Sequence, residues 1–203
     1  MGSCSCNNNQ TGLVKCSNAG HLLNKMVNCD CEDQEQIIIK GVCSRAKIES
    51  LLVDGENLWT QIFVPEVLCV PEQKPDIEQL ISITSMVDII SQRVVKTPVL
   101  KLLEVDTPIE NREGINTTGR KLVVEGILRQ KVIYTADVAS QSVHSAEFDV
   151  PFSAFIILPV DTKLTTKYAV EACIEDIFVS HLTKRQIFKN VTLFIKATPL
   201  VCV

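Results

Sequence analysis

The chain matches itself at a nearly constant offset, which constrains its fold more than any other feature of the sequence. Ile38-Ile39-Lys40-Gly41-Val42 aligns with Val123-Val124-Glu125-Gly126-Ile127 at a spacing of 85 residues, Val64-Pro65 with Val150-Pro151 at 86, and Pro71 with Pro159 at 88. Met86-Val87-Asp88-Ile89 aligns with Ile174-Glu175-Asp176-Ile177, again at 88. Unrelated apolar strands rarely hold so steady an offset, so the pattern reads as an internal duplication. Each copy is then expected to be the same four-strand unit. Strands are expected near 36–50, 58–70, 81–95 and 98–105 in the first half, and near 121–135, 143–158, 167–182 and 187–197 in the second.

Strands are expected because apolar and polar residues alternate with a period close to two, most clearly in Gln186-Ile187-Phe188-Lys189-Asn190-Val191-Thr192-Leu193-Phe194-Ile195-Lys196, and because β-branched and aromatic residues dominate these runs. The one expected helical turn is Asp76-Ile77-Glu78-Gln79-Leu80, where Asp76 could cap and Gln79 could answer it. Two four-stranded sheets, each with one apolar face, would bury those faces against each other as an all-β sandwich. Two small domains joined by the connection at 106–119 are the other arrangement. Gly41 and Gly126 fall inside expected strands at matching positions, where a bulge or a close backbone crossing is the physical reason for glycine.

Residues 1–34 have a different texture, rich in Asn, Ser, Gly and Cys without either periodicity, and are expected to be a flexible arm preceding a β domain at 35–203, with repeat halves at about 36–105 and 120–198. Of nine cysteines, Cys4, Cys6, Cys16, Cys29 and Cys31 lie in this arm. Each pair, Cys4-Ser5-Cys6 and Cys29-Asp30-Cys31, is separated by one residue, closer than structural zinc sites usually space their thiolates. These five and Cys202, in the apolar tail, are the candidates for intermolecular disulfides; a metal site and reduced thiols without a role are the alternatives. Cys43, Cys69 and Cys173 fall in expected strands and read as small packing residues.

Function classes narrow quickly. A net charge of -4, with 20 Lys and Arg scattered among 24 acids, gives no electrostatic basis for nucleic acid. No apolar stretch approaches the roughly 20 residues of a membrane helix. Met1-Gly2-Ser3-Cys4-Ser5-Cys6-Asn7-Asn8-Asn9 lacks the positive flank and apolar core of a signal peptide, so synthesis in a cytoplasm is expected. With 46% hydrophobic residues the chain is expected to fold without a cofactor. Ser142, His144 and Asp149, with Ser145 alongside, lie along one expected strand, so His144 and Asp149 cannot easily meet, and no nucleophile elbow is present. Strict alternation would turn Glu175 and Asp176 to opposite faces. His21, His144 and His181 are isolated from one another. No catalytic residue is expected.

Leu58-Trp59-Thr60-Gln61-Ile62, Val64-Pro65-Glu66, Pro71-Glu72-Gln73-Lys74-Pro75-Asp76 and Val94-Val95-Lys96-Thr97-Pro98 resemble the SPOCS domain of spore-forming Firmicutes. So do Thr118-Gly119-Arg120-Lys121-Leu122-Val123-Val124-Glu125-Gly126, Gln141-Ser142-Val143-His144-Ser145, Val150-Pro151-Phe152, Glu175-Asp176-Ile177 and Ile187-Phe188-Lys189-Asn190-Val191. The similarity covers about 35–198. It implies a protein of the spore coat or exosporium, made in the mother cell and later exposed to oxidation, with no catalytic residues to carry over. Some relatives add a peptidoglycan-binding LysM module, whose pattern is not present here. The expectation is a structural protein that assembles with copies of itself, with disulfide cross-links. The alternatives are a non-polymerising module that recruits other coat proteins and a thiol-based metal-binding protein.

Overall fold

The computed structural model describes residues 37–52, 58–99 and 117–200. Seven strands and one helix follow in the order β1 (Ile38–Lys40), α1 (Arg45–Leu52), β2 (Trp59–Cys69), β3 (Ile77–Lys96), β4 (Arg120–Ala136), β5 (Val143–Ile157), β6 (Tyr168–Thr183) and β7 (Gln186–Pro199). They form two sheets, a four-stranded one ordered β1-β3-β4-β5 and a three-stranded one ordered β2-β7-β6. All pairings are antiparallel except the short β1–β3 contact.

The expected all-β sandwich is therefore present, but its sheets do not follow the two sequence halves. The first sheet takes β4 and β5 from the second half, and the second takes β2 from the first. That exchange excludes two side-by-side domains, because neither half owns a complete sheet. Of the expected strand at 98–105, residues 98 and 99 are not in a strand and the rest lie outside the described residues.

Alternation builds the interior. In β4, Leu122, Val124, Leu128, Val132, Tyr134 and Ala136 face inward and are buried, while Arg129 and Lys131 face out. In β7, Ile187, Val191, Leu193, Ile195 and Ala197 do the same. One apolar cluster joins Leu122, Val124 and Leu128 to Ile174, Val191 and Leu193, and a second joins Leu80, Ile83 and Val132 to Leu68 and Ile187. Each fully buried Leu or Ile contributes about 1.5–3 kcal/mol.

Two local expectations fail for identifiable reasons. Residues 45–52 form helix α1, not the end of a strand. The run Arg45-Ala46-Lys47-Ile48-Glu49-Ser50-Leu51-Leu52 consists largely of good helix formers, Ser44 Oγ accepts from the Lys47 amide at 3.2 Å as an N-cap, and Arg45 pairs with Glu49 one turn on at 2.6 Å. At the other end the buried Lys196 ammonium donates to the Leu51 carbonyl, a cation placed where helix carbonyls are unpaired. Residues 77–80 open β3 and form no helical turn. Ile77 donates its amide to Lys184 O at 2.7 Å, and Asp76, the expected cap, instead accepts from Arg185 at 2.6 Å.

Both glycines are close crossings. Gly41, with φ of 104°, passes so near the Ser85 carbonyl that no Cβ would fit. At Gly126 a Cβ would lie 2.5 Å from Phe152 Cζ and 2.7 Å from Asp88 O, beside a register shift between Ile89 and Ser91.

Candidate functional site: faces and edges of the sandwich

The chemistry of a β-sandwich is set by what fills its interior and what its two outer faces and its edges offer. Among the described residues the interior holds a charged pair whose lysine the sequence reading did not single out. Lys189 on β7 is completely buried and lies 2.5 Å from Glu66 Oε1, its direct cross-strand partner on β2. Gln130 reaches across from β4 and donates to the same carboxylate at 2.6 Å. These residues, with buried Ser85 of β3, occupy inward positions between the two apolar clusters, so a polar belt divides the core. Burial holds the Lys189 ammonium below its usual pKa, and the Glu66 carboxylate opposes that shift. The signal was legible, since Lys189 shares its row with Ile187 and Val191, and Glu66 with Val64 and Leu68.

The outer face of the four-stranded sheet is written for water. Arg93 pairs with Glu125 at 3.1 Å, Arg129 with Asp88 at 2.6 Å and Asp149 at 3.9 Å, and Lys131 with Glu147 at 3.3 Å. Hydrogen bonds from Ser91 and then Arg93 hold the Glu125 carboxyl below its ordinary range, and Asp88 raises Arg129. An open cleft of about 570 Å³ on this face, lined by Thr84, Met86, Arg129, Lys131, Glu147 and Asp149 among others, presents cations already neutralised by their neighbours. Lys121 covers the exposed Phe155 ring at 4.0 Å.

The outer face of the three-stranded sheet is different. Its upper part lies under α1, where Leu51 packs with Cys173 and Phe194, and Trp59 stacks on Phe194 at 5.6 Å. Cys43, just before the helix, forms a disulfide with Cys173 across a separation of 130 residues. This corrects the expectation that both were packing residues; partners so far apart in sequence could not be matched without the fold. Its lower part is bare. Phe63 is 70% exposed, Phe178 54% and Val67 49%, and Phe178 meets Phe188 edge-on at 6.1 Å. Cys69, also expected to be a packing residue, ends β2 at an outward position and is an exposed free thiol.

A β-bulge alters the acidic pair. Between Ile174 and Asp176 the register shifts, both Ile174 and Ile177 stay buried, and Glu175 accepts from Gln61 at 2.9 Å on the outer face. Glu175 and Asp176 therefore both turn outward, where strict alternation would have separated them. Of the serine–histidine set, Ser142 and His144 do meet, at 3.0 Å, with His144 stacked on Tyr134. Asp149 lies on the opposite face with Arg129, so no acid from the set orients the imidazole. His181 is exposed, and His21 lies outside the described residues.

Two edges carry a proline guard. Leu58 O and Val70 N bond toward β7, so the even-numbered residues of β2 point their amides inward to the sheet and the odd-numbered ones outward. Pro65 is odd. Leu158 N and Ser142 O likewise bond toward β4, which turns the odd residues of β5, Pro151 among them, outward. Each margin thus carries a proline where an incoming strand would need an N–H. On the opposite side, residues 41–43 cross from β3 to β6, where the Cys43 amide donates to Ile174 O at 2.8 Å. At the lower end, Arg185 in the β6–β7 turn donates to the carbonyls of Val70, Pro71 and Lys74 and to Asp76, fastening the 70–76 loop.

Cys4, Cys6, Cys16, Cys29, Cys31 and Cys202, the candidates for intermolecular disulfides, all lie outside the described residues. A family model described as "SipL, SPOCS domain" matches residues 76–182, just over half of the 203-residue chain. Neither a curated protein nor a solved structure gives a match.

Proposed function

The chain belongs to the SipL, SPOCS-domain family, whose sporulation-related role it shares, and from that premise we propose that it is a non-enzymatic structural protein of the endospore surface, in the coat, the exosporium or a surface appendage. Copies assemble through the β body into a fibre or layer, and the cysteines outside that body lock them by intermolecular disulfides. The family match carries this reading. The build of the body supports it: the buried Lys189–Glu66 pair joins neighbouring strands of one sheet and takes a bond from Gln130 of the other, and the Ser142–His144 pair stands without an acid from its set. Cys4, Cys6, Cys16, Cys29, Cys31 and Cys202 are the proposed cross-linking thiols, and an oxidising spore exterior is where such bonds persist.

Electron microscopy of the recombinant protein, oxidised and reduced, tests assembly, and non-reducing electrophoresis of spore extracts tests the cross-links. The expected result is ordered polymer and a ladder of species that collapses with reductant. A monomer band indifferent to reductant in spore extracts would remove the covalent part. Protein that remains dispersed under both conditions would remove the assembly.

A further inference from the structure

We infer that the bare lower part of the three-stranded sheet, centred on Phe63, Val67, Phe178 and Phe188, is a docking surface for a second copy of this chain, paired face to face. The inference rests on the self-assembly reading and assigns it a surface. It follows from comparing the ways a sandwich can meet its neighbour. Strand addition at β2 or β5 meets Pro65 or Pro151 at an outward amide position. The opposite side is crossed by residues 41–43, tied to β6 by the Cys43 amide and the Cys43–Cys173 disulfide. The four-stranded sheet's exterior is laced with ion pairs whose groups would have to be desolvated on contact. The outer face of the three-stranded sheet, by contrast, exposes two phenylalanines and a valine to water.

Its composition is that of an interface core, aromatic and depleted of charge. The outward positions of β2 from Gln61 to Cys69, and of β7 from Gln186 to Phe194, carry no charged residue; Glu175 and Asp176 sit on the rim strand β6. Two copies of such a face can be laid together without opposing like charges at the centre, whereas a partner selected by its charge would find little there to recognise. Strands lie about 4.8 Å apart and rise about 3.4 Å per residue, so the patch spans roughly 300–400 Å². That is less than the roughly 800 Å² per partner of a standard interface. The pairing is accordingly weak by itself and gains its permanence from repetition and covalent locking.

Sedimentation velocity of the full chain under reductant, across a concentration series, tests this with Phe63→Lys and Phe63→Glu. Wild type is expected to self-associate as concentration rises. Each variant alone is expected to sediment as a monomer with an unchanged circular-dichroism spectrum. The two variants mixed in equal amounts are expected to associate again, because a face-to-face pair brings lysine near glutamate. Lys131→Glu, on the other sheet, is expected to associate as wild type does. Variants that associate like wild type would sink the face while leaving self-assembly standing. Monomeric variants that stay apart when mixed would show that the patch meets a different surface of the second copy, and would sink the face-to-face pairing. Wild type that remains monomeric at every concentration, oxidised or reduced, would sink both readings.

Discussion

Replacing Lys189 by methionine leaves the Glu66 carboxylate between the sheets with only Gln130 to answer it. In the native fold the Lys189 side chain is 0% exposed and that of Glu66 11%, so solvent does little to soften the loss. Breaking a buried pair by removing one partner costs about 3–5 kcal/mol. The Gln130 bond at 2.6 Å keeps the carboxylate partly satisfied and places the expected loss near the lower end, about 3 kcal/mol. For a chain of this size that lowers Tm by about 6–12 °C. Glu66→Leu alone strands the ammonium and should cost at least as much. The triple replacement Lys189→Met, Glu66→Leu, Gln130→Leu removes the whole polar belt and should lie within about 1 kcal/mol of wild type or above it, because the desolvation penalty disappears with the charges. The pH dependence has a definite sign. The folded Lys189 releases its proton below the ordinary lysine value, so between the two values the unfolded chain binds more protons and stability rises with pH. Lys189→Met should lose that slope. Urea unfolding followed through Trp59, the sole tryptophan, measures each quantity. Losses of Lys189→Met and Glu66→Leu that simply add when the two replacements are combined would refute the coupling, and a neutral Lys189→Met would refute the burial itself.

Three further outcomes are expected. Replacing Cys43 and Cys173 by serine opens a closure of 130 residues and should cost up to about 5 kcal/mol by the chain-entropy relation; hydrogen exchange should then rise over 45–52, and unchanged exchange there would mean that packing alone holds the helix. Gly126→Ala places a methyl 2.5 Å from Phe152 Cζ and 2.7 Å from the Asp88 carbonyl and should lower stability by about 1–3 kcal/mol, with Phe152→Leu recovering only part of it because the carbonyl stays; full recovery, read by urea unfolding, would show the ring to be the sole obstacle. Arg185→Ala should cost about 1.5–3 kcal/mol and raise hydrogen exchange in the 70–76 loop, and Arg185→Lys should restore little, since an ammonium lacks the guanidinium fork that reaches several carbonyls together; full restoration by lysine would argue for charge alone.

Much of the fold was legible in the sequence, and the parts that were not share a cause. Strands β4 to β7 lie within one or two residues of their expected bounds, because alternation is a local signal and a half-buried strand obeys it residue by residue. Helix α1 was misread although Ser44 and a run of good helix formers marked it, because the alignment of Gly41 with Gly126 drew the whole segment into a strand. Sheet membership escaped altogether. β2 pairs with β7 and β3 with β4 across the boundary between the sequence halves, and no local pattern records which strand a distant neighbour will choose. Among the site residues, the separation of Asp149 from His144 followed from spacing, while the bulge that brings Glu175 and Asp176 to one face added a residue that strict alternation could not anticipate.

Pro65 and Pro151 stand on two margins of the sandwich, β2 in one sheet and β5 in the other. A neighbour trying to zip itself onto either margin would lose its bond midway, and the ladder would be left as two short flanks. Sideways growth of this kind is how crowded β proteins run together into tangles. A proline at each of these two margins therefore lets the chain be concentrated further before neighbours join sideways.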